Sequence, residues 1–440
     1  MSKDRIIVIG AGIAGLACAE KLHQNGYHVQ ILEARDRIGG RIHSVKTNDI
    51  TLDFGASWIH GIEENPIAEL SQQHKIETVC FNYVDSAFFN EHGQLLNPKE
   101  KKQFEDEIAD ITQQLGKQDK DRASEALTAI LEQSDYQQHP LNRAFCNQNV
   151  KVRLQQYIEM IANDPYACEL FELTPDYQRY EGYFAGDEVI FPQGYDQVIH
   201  ALAQGLDIRL HTMIQSIQYT ADGVVVQDQH QQEYVASQVV CTVPLGVLKQ
   251  HDIHFQPALP SKYQQSIQQM GFGVFNKIFF ELEQSLDLNE RYQKNSYFFA
   301  TETGWLNLLD LSHIYQRPLY FMVLGGEQAK QIEQMQEQQL WQWITQQLQT
   351  ALPAIQQAVK RLWYTTWSND PYSHGSYSFP AVGHGEHLFT PFQQAIEQRL
   401  WFAGEHCQAD YAATVHGAYM SGQSVAMKII QHARESESLG

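Results

Sequence analysis

The stretch that decides the fold is a short apolar run followed by three spaced glycines, Ile6-Ile7-Val8-Ile9-Gly10-Ala11-Gly12-Ile13-Ala14-Gly15. Four consecutive apolar residues predict a buried strand, and the residues from Ala14 to Asn25 predict a helix that stops at Gly26. A second apolar run, 29–32, closes a strand–helix–strand unit at Glu33. The sequence therefore predicts a βαβ opening with a glycine-rich turn between its first strand and its helix.

The spacing of the glycines, and the acid that ends the second strand, indicate a dinucleotide site. Gly10 allows a tight turn, Gly12 lets the backbone approach a pyrophosphate, and Gly15 lets the helix pack closely on the strand. The start of the helix, around Ala14, offers N–H groups and the positive end of the helix dipole to an anion. Glu33 stands at the right distance to accept a hydrogen bond from a ribose hydroxyl, and an acid there disfavours the 2′-phosphate of NADP.

The residues that follow Glu33 favour FAD over NAD. The segment Ala34-Arg35-Asp36-Arg37-Ile38-Gly39-Gly40-Arg41 supplies three arginines and a glycine pair. Arginine binds phosphate through two parallel hydrogen bonds, and a second glycine turn at Gly40 brings the chain back beside the pyrophosphate. A nicotinamide cofactor has no need of this second loop, because it must bind and dissociate in each catalytic cycle. We expect Arg35 and Arg41 at the cofactor, with Arg41 on the phosphate.

Size and composition limit the class of protein. The chain has 440 residues, 43% of them apolar and 19% charged, which predicts a globular protein of two domains. A formal net charge of −21 excludes nucleic acid as the default partner and suits a cationic substrate. No signal-peptide pattern and no apolar span of about 20 residues is present. We therefore expect a cytoplasmic protein with no membrane partner.

The cysteines are scattered and form no C-x-x-C pair, which favours free thiols in a reducing compartment and predicts no metal site. They are Cys18, Cys80, Cys146, Cys168, Cys241 and Cys407.

The expected fold class is α/β (α+β overall), with a Rossmann-type dinucleotide-binding domain and an inserted mixed α/β domain that binds substrate. Strand-like apolar runs return in the middle and at the end of the chain, between two stretches that carry helical patterns. The dinucleotide-binding domain is assigned residues 1–85, 186–255 and 365–440. The substrate-binding domain is assigned residues 86–185 and 256–364.

Four further motifs carry a resemblance to a known family. They are Phe54-Gly55-Ala56-Ser57-Trp58-Ile59-His60-Gly61, Phe275-Asn276-Lys277, Phe402-Ala403-Gly404-Glu405-His406 and Thr414-Val415-His416-Gly417-Ala418-Tyr419. With residues 32–41, they resemble the flavin-containing amine oxidases, which include polyamine oxidases, monoamine oxidases and histone lysine demethylases. The resemblance covers the first 65 residues, the region 180–280 and the last 80 residues.

The resemblance implies an FAD site assembled from both ends of the chain. The segment around Trp58 would lie along the isoalloxazine, Glu405 would bind the ribityl chain, and the helix N-terminus at Thr414 would face the pyrimidine edge. The dipole of that helix would stabilise negative charge on the reduced ring. The expected cofactor-binding residues are Gly10, Gly12, Ala14, Gly15, Glu33, Arg35, Gly40, Arg41, Ala56, Ser57, Trp58, Ile214, Trp367, Glu405, Thr414 and Val415.

The resemblance also implies the catalytic residues. Lys277 resembles the family's active-site lysine, which holds a water near flavin N5, and a lysine in an apolar strand is costly to bury without partners. Tyr377 and Tyr419 align with two residues that flank the substrate amine and orient its C–N bond. Ser376 stands where monoamine oxidases carry the cysteine that attaches FAD covalently, so we expect FAD to be bound non-covalently.

The expected reaction is the oxidation of a polyamine. A hydride passes from the carbon next to an uncharged amine to flavin N5, water hydrolyses the imine to an aldehyde and an amine, and O2 becomes H2O2. Trp58, His60 and Asp196 are the expected substrate-binding residues, and the resemblance implies the last two. Other candidate acids for a tunnel that holds a polycation are Glu63, Glu64 and Glu181.

Several alternatives remain at the level of sequence. An L-amino acid oxidase needs an arginine for the substrate carboxylate, and Arg153, Arg179 and Arg361 belong to no recognisable motif. A monoamine oxidase would differ only in the shape of its pocket. A non-catalytic flavoprotein scaffold is disfavoured by the intact Lys277, and a desaturase-like flavoenzyme is disfavoured by the C-terminal motifs. The sequence does not specify which amine is oxidised or the oligomeric state.

Overall fold

The computed structural model describes residues 5–47, 49–145, 149–180 and 182–439, with side chains described to residue 435. Cys146 and Glu181, both named above, lie outside the described residues. Of the helices in the described part of the chain, none combines the length and the apolar character that a membrane span needs.

The strands are numbered here in chain order. They are β1 (Arg5–Ile9), β2 (His28–Leu32), β3 (Ser44–Lys46), β4 (Thr51–Asp53), β5 (Trp58–Ile59), β6 (Val79–Cys80), β7 (Ala87–Phe89), β8 (Val189–Ile190), β9 (Asp207–Arg209), β10 (Ile214–Thr220), β11 (Gly223–Asp228), β12 (Glu233–Ala236), β13 (Gln238–Cys241), β14 (His254–Gln256), β15 (Gly271–Phe272), β16 (Phe275–Leu282), β17 (Ser296–Ala300), β18 (Trp305–Asp310), β19 (Leu319–Gly325), β20 (Val359–Tyr364), β21 (Ser378–Phe379) and β22 (Leu400–Phe402).

The α-helices are numbered in the same way. They are α1 (Ile13–Gln24), α2 (Pro66–Gln73), α3 (Pro98–Leu115), α4 (Ala123–Gln133), α5 (Val150–Tyr166), α6 (Asp196–Leu202), α7 (Leu245–Lys249), α8 (Ser261–Gln269), α9 (Leu288–Tyr292), α10 (Ser312–Tyr315), α11 (Gly326–Ile332), α12 (Glu337–Leu348) and α13 (Val415–Leu439). Short 3-10 helices lie between some of them, among them Trp367–Asn369 and Glu405–Cys407.

A parallel sheet of five strands, in the order β22-β13-β1-β2-β9, brings together the beginning, the middle and the end of the chain. The central strand β1 is buried from Ile6 to Ile9. A parallel sheet is covered on both faces, which explains why its central strand is apolar without alternation. The strand–helix–strand opening follows the sequence prediction to within one residue, since α1 runs from Ile13 to Gln24. The α/β fold class with a Rossmann-type opening is confirmed.

Two glycines let the helices that cover this sheet approach their neighbours. A Cβ at Gly15 in α1 would lie 2.1 Å from the carbonyl oxygen of Gly10, and one at Gly422 in α13 would lie 2.1 Å from that of Ala14. No real Cβ tolerates such a contact, so α1 sits directly on the β1 turn and α13 sits directly on α1. The last helix of the chain is thereby fixed against the first.

A second sheet, of six strands, has the order β20-β16-β19-β18-β17-β7. Its pairings are antiparallel apart from β7, which runs parallel to β17. The helices α3, α4 and α5 pack with it around a core rich in aromatic rings, which includes Phe88, Phe104 and Trp305. This sheet and its helices form the mixed α/β part of the fold, and the domain boundaries at residues 86, 186, 256 and 365 stay predictions.

A valine at position 422 tests the contact between the first and last helices. Gly422→Val forces the backbones of α13 and α1 apart, and overpacking of this kind costs about 1–3 kcal/mol. We expect the apparent Tm to fall by at least about 2 °C. Gly304→Val is the control, because nothing lies within 4 Å of a Cβ at that position. Equal Tm values for the two variants, measured at one scan rate, would contradict the packing described here.

Candidate active site

A cavity of about 1130 Å³ lies between the edge of the parallel sheet and the six-stranded sheet. Pockets for a single small ligand usually have volumes of about 300–1000 Å³. The cavity therefore has room for a dinucleotide and a second ligand. Its walls come from both sheets and from segments near both ends of the chain.

The turn between β1 and α1 is suited to an anion. Gly12 precedes the helix without any side-chain cap, and nothing lies within 4 Å of the position that a Cβ would take there. The N–H groups of an uncapped first turn are available to a ligand. Beside them Glu33 is buried, with Oε2 accepting a hydrogen bond from Ala11 N–H at 2.6 Å and Oε1 from Arg35 N–H at 2.9 Å. Each oxygen keeps a further lone pair for a ribose hydroxyl. These residues fit a dinucleotide.

The two arginines of the following loop differ in what they bind. Arg35 lines the cavity, but its two Nη atoms donate to the carboxylate of Asp370 at 2.8 and 2.7 Å. Its guanidinium also lies over the ring of Tyr372, 5.0 Å from the centroid. Its guanidinium therefore fixes the segment 370–372 beside the loop, and the expected contact of Arg35 with the cofactor stays a prediction.

Arg41 is held by the acid of the C-terminal motif. Arg41 Nη1 donates to Glu405 Oε1 and to the carbonyl oxygen of Ser376, both at 2.8 Å. Glu405 Oε2 accepts from the Ser378 hydroxyl at 2.6 Å and from Ala413 N–H at 3.0 Å. Burial opposes ionisation of Glu405, but the charge of Arg41 and the hydrogen bonds from Ser378 and Arg41, with His406 nearby, together hold the pKa of Glu405 below its usual range. This ion pair joins residues more than 360 positions apart at the cavity wall.

Lys277 lies in strand β16 and is 3% exposed. Its Nζ donates to the carbonyl oxygens of Gly55 at 2.5 Å and Asp53 at 3.1 Å, and also to Ser57 Oγ. The amine lies 5.1 Å from the centre of the Trp58 ring, and all but Asp53 of these residues line the cavity. Burial lowers the pKa of Lys277 and raises that of the Asp53 carboxyl. The amine is thus a buried donor at the cavity wall.

Tyr377 also borders the cavity, near the start of strand β16. Its hydroxyl donates to the carbonyl oxygen of Asp164 at 3.3 Å, and its ring centre lies 5.9 Å from that of Phe275. Burial raises the pKa of Tyr377 well above its usual value, so the phenol is neutral. The preceding Ser376 hydroxyl accepts from Phe275 N–H at 2.8 Å and donates to Phe275 O at 3.0 Å. Among the described residues that line the cavity, none is a cysteine.

A polar group that includes His60 lies beyond Trp58. The His60 ring is stacked on Trp58 at 6.2 Å, and its Nδ1 is 2.7 Å from Glu188 Oε2 and 3.1 Å from the Tyr83 hydroxyl. The His60 side chain is 49% exposed, which places this group where solvent reaches the cavity. Sequence reasoning missed Glu188, because only the pairing of β5 with β8 brings it beside His60.

The N-terminus of α13 forms another part of the wall. Thr414 caps the helix, since its Oγ1 accepts from Gly417 N–H at 2.9 Å and donates to Tyr411 O at 2.7 Å. Val415 and His416 follow it along the cavity. Burial lowers the pKa of His416 to about 4, and its buried Nε2 has no hydrogen-bond partner among the described residues.

Two predicted site residues lie elsewhere. Ala418 lines the cavity, but Tyr419 does not. Successive residues of a helix point in different directions, and the Tyr419 ring packs on the core between the parallel sheet, α1 and α13. Its expected role in flanking the substrate stays a prediction. Asp196 begins α6, outside the cavity, where its N–H binds Ser44 Oγ at 3.0 Å and its carboxylate lies 3.8 Å from His200. Its expected contact with substrate stays a prediction as well.

All the predicted cofactor-binding residues except Gly15 line the cavity. Gly15 packs instead against Gly10 in the turn between β1 and α1. Those that line the cavity are Gly10, Gly12, Ala14, Glu33, Arg35, Gly40, Arg41, Ala56, Ser57, Trp58, Ile214, Trp367, Glu405, Thr414 and Val415.

Known proteins with similar sequence and fold act on amines. A profile of the flavin containing amine oxidoreductase family matches residues 13–430. The chain is 30% identical to polyamine oxidase 4 of Oryza sativa subsp. japonica, over 97% of this chain and 88% of that protein. It is 30% identical to polyamine oxidase 2 of Arabidopsis thaliana, over 95% and 86%. A solved structure of putrescine oxidase bound to putrescine shares the fold, with a TM-score of 0.75 and 20% identity over 98% of this chain and 99% of that one.

Removal of the Arg41 charge tests the cofactor wall. Arg41→Met leaves Glu405 buried without its cation, which is strongly destabilising for a paired carboxylate. We expect the Kd for FAD, measured by flavin fluorescence after removal and readdition of the cofactor, to rise at least about tenfold, or about 1.4 kcal/mol. Lys102→Met, which removes a charge from an exposed side chain of α3, is the control. An unchanged FAD affinity in Arg41→Met would show that this ion pair does not shape the site.

Proposed function

Because the chain belongs to the flavin containing amine oxidoreductase family, we propose that it is an FAD-dependent oxidase of polyamines that uses O2 as its electron acceptor. Its cofactor is FAD, and its class is that of a flavin-dependent amine oxidase. The polyamine substrate is supported by relatives at 30% identity that are named polyamine oxidases. The observation that carries the proposal is the buried amine of Lys277 at the wall of a cavity large enough for cofactor and substrate.

FAD, when bound, supplies the capacity to take two electrons and a proton from a C–H bond next to an amine nitrogen. The chain supplies position and environment. Gly10, Gly12 and Glu33 would hold the dinucleotide half of the cofactor, and Arg41 with Glu405 would border its middle. A protonated Nζ has three N–H donors, and Asp53 O, Gly55 O and Ser57 Oγ accept them in this structure, so Lys277 would hold a water by giving one of these hydrogen bonds to it. Trp58 and Tyr377 offer aromatic faces that favour a nearby cation.

In the net reaction the C–N bond of the substrate becomes a C=N bond, and water then splits it into an aldehyde and a smaller amine. O2 takes up the two electrons and two protons and becomes H2O2. The reacting nitrogen must be uncharged, because a protonated amine has no lone pair to form the C=N bond. The chain's acidic surface, with a net charge of −21, attracts the cationic substrate that loses this proton in the cavity.

Non-covalent attachment of FAD belongs to the same proposal. It is supported by Ser376 at the position of the linking cysteine in monoamine oxidases, and by the lack of cysteine among the described residues of the cavity wall. An FAD released by acid or heat without proteolysis is the expected result.

The cavity is poorly suited to an amino acid carboxylate. Its two described arginines, Arg35 and Arg41, are each paired with a carboxylate of the chain, Asp370 and Glu405. A substrate carboxylate would have to break one of these pairs. The L-amino acid oxidase alternative is disfavoured on this ground.

The direct test is anaerobic mixing of the purified holoenzyme with an amine panel while flavin absorbance is followed. The panel contains spermidine, spermine, N-acetylated polyamines, tyramine and L-amino acids. We expect rapid bleaching by one or more polyamines, with slow or no bleaching by the others. Bleaching by tyramine or by amino acids alone would replace the polyamine proposal with one of the alternatives. No bleaching by any amine would contradict the proposed catalysis.

Lys277→Met tests the residue that carries the proposal. The methionine fills a similar volume without a donor, so we expect FAD to stay bound while flavin reduction or reoxidation slows at least about tenfold, or about 1.4 kcal/mol of barrier. Stopped-flow absorbance separates the two half-reactions. Lys262→Met, on an exposed part of α8, serves as the control. Wild-type rates in both half-reactions would remove Lys277 from the mechanism.

A further inference from the structure

A carboxylate that sequence reasoning did not identify lines the cavity. Asp164 lies in the last turn of α5, directly before Pro165 and Tyr166, and all three residues border the cavity. Its Oδ1 accepts from Gly325 N–H at 2.9 Å, and its backbone carbonyl accepts from the Tyr377 hydroxyl. These contacts fix the end of α5 against the end of strand β19 and against Tyr377.

The Asp164 carboxylate has no cationic partner. Among the described residues, its other oxygen makes no hydrogen bond and no ion pair, and Gly325 N–H is the single donor to the group. Burial, with the negative charge of Glu169 nearby, raises the pKa of Asp164 to about 8. A carboxylate in this environment costs free energy unless a cation compensates it. The chain supplies no such cation from its described residues.

Strand β19 gives the position of Asp164 relative to Lys277. Phe321 contacts Trp58 with ring centres 5.6 Å apart, Val323 pairs with Lys277, and Gly325 holds Asp164. From Phe321 to Gly325 is four residues, or about 13 Å along a strand. Lys277 therefore lies between the part of the cavity at Trp58 and the part at Asp164.

A second carboxylate lies at the opposite end. Beyond Trp58, the Glu188 carboxylate pairs with His60 and the Tyr83 hydroxyl, where the cavity is open to solvent. The wall that carries Lys277 is thus bounded by an acid on each side, one near solvent and one enclosed. A linear molecule with charges at both ends matches this pattern.

We propose that Asp164 is a specificity-determining residue that binds a second, non-reacting ammonium group of the substrate and so makes the enzyme selective for diamines and longer polyamines. The inference rests on the proposed function. The nitrogen that reacts must be uncharged, whereas a carboxylate stabilises the charged form of an amine. Asp164 therefore binds the substrate nitrogen that keeps its proton. A charge-assisted hydrogen bond between the two is stronger in an enclosed site than in water.

The experiment compares α,ω-diamines of three to eight carbons with the monoamine of each length, in the wild type, Asp164→Asn and Glu159→Gln. Asp164→Asn keeps an acceptor for Gly325 N–H but loses the charge. Glu159→Gln removes a charge from the same helix, outside the cavity. Anaerobic stopped-flow mixing gives the Kd of each amine and the limiting rate of flavin reduction separately.

In the wild type and in Glu159→Gln, we expect the preferred diamine to bind at least about tenfold more tightly than its monoamine, as charge-assisted hydrogen bonds allow. In Asp164→Asn the Kd of the diamine rises by this factor, the Kd of the monoamine stays the same, and the limiting rate changes less than about threefold. An equal rise for both amines, or no rise for either, would overturn the inference.

A second variant covers the case in which Asp164→Asn does not retain FAD. Asp164→Glu keeps the charge but extends it by one methylene into the cavity, so we expect selectivity to persist with the preferred diamine shorter by about one carbon. Loss of selectivity without a change of preferred length contradicts the assignment. Oxidation of diamines and monoamines with equal Kd by the wild type would overturn this inference alone, whereas a wild type that oxidises no amine would overturn the proposed function as well.

Discussion

The buried amine of Lys277 is the contact on which the arrangement of the cavity depends. It belongs to the six-stranded sheet, yet its hydrogen bonds go to Asp53, Gly55 and Ser57, which lie on the side of the dinucleotide-binding sheet. A buried amine without partners is costly, so these acceptors fix strand β16 and the segment 53–58 in one relative position. The wall along which cofactor and substrate would meet is set by that constraint.

The side of the cavity that would hold the cofactor depends on helices whose backbones lie unusually close together. Glycines at the β1 turn, in α1 and in α13 bring the first and last helices of the chain together at the edge of one parallel sheet. That approach places the uncapped start of α1 and the Arg41–Glu405 pair on the same cavity. The ligand site thus spans the two ends of the chain because only residues without a side chain allow the helices to lie so near.

The sequence predicted those features of the fold that depend on residues close together in the chain. The βαβ opening, its glycine turn and Glu33 follow from periodicity and spacing, and motif resemblance brought Lys277 to attention. A motif does not give the direction of a side chain: Tyr419 packs against the core and Asp196 lies beside His200 outside the cavity, so their expected contacts with substrate stay predictions. Asp164 and Glu188 were missed because long-range pairing, of α5 with β19 and of β5 with β8, brings them to the cavity.

The most direct test of this account is the titration of the Lys277 amine in the holoenzyme. Carbon-13 labelling of the lysine ε carbons, with the Lys277→Met variant to assign the signal, follows this group by NMR as pH is varied. The account predicts one ε-carbon signal that titrates clearly below the usual lysine pKa of about 10.4 and is absent from the variant. A Lys277 signal that titrates with the exposed lysines would contradict the burial of the amine and the role that depends on it.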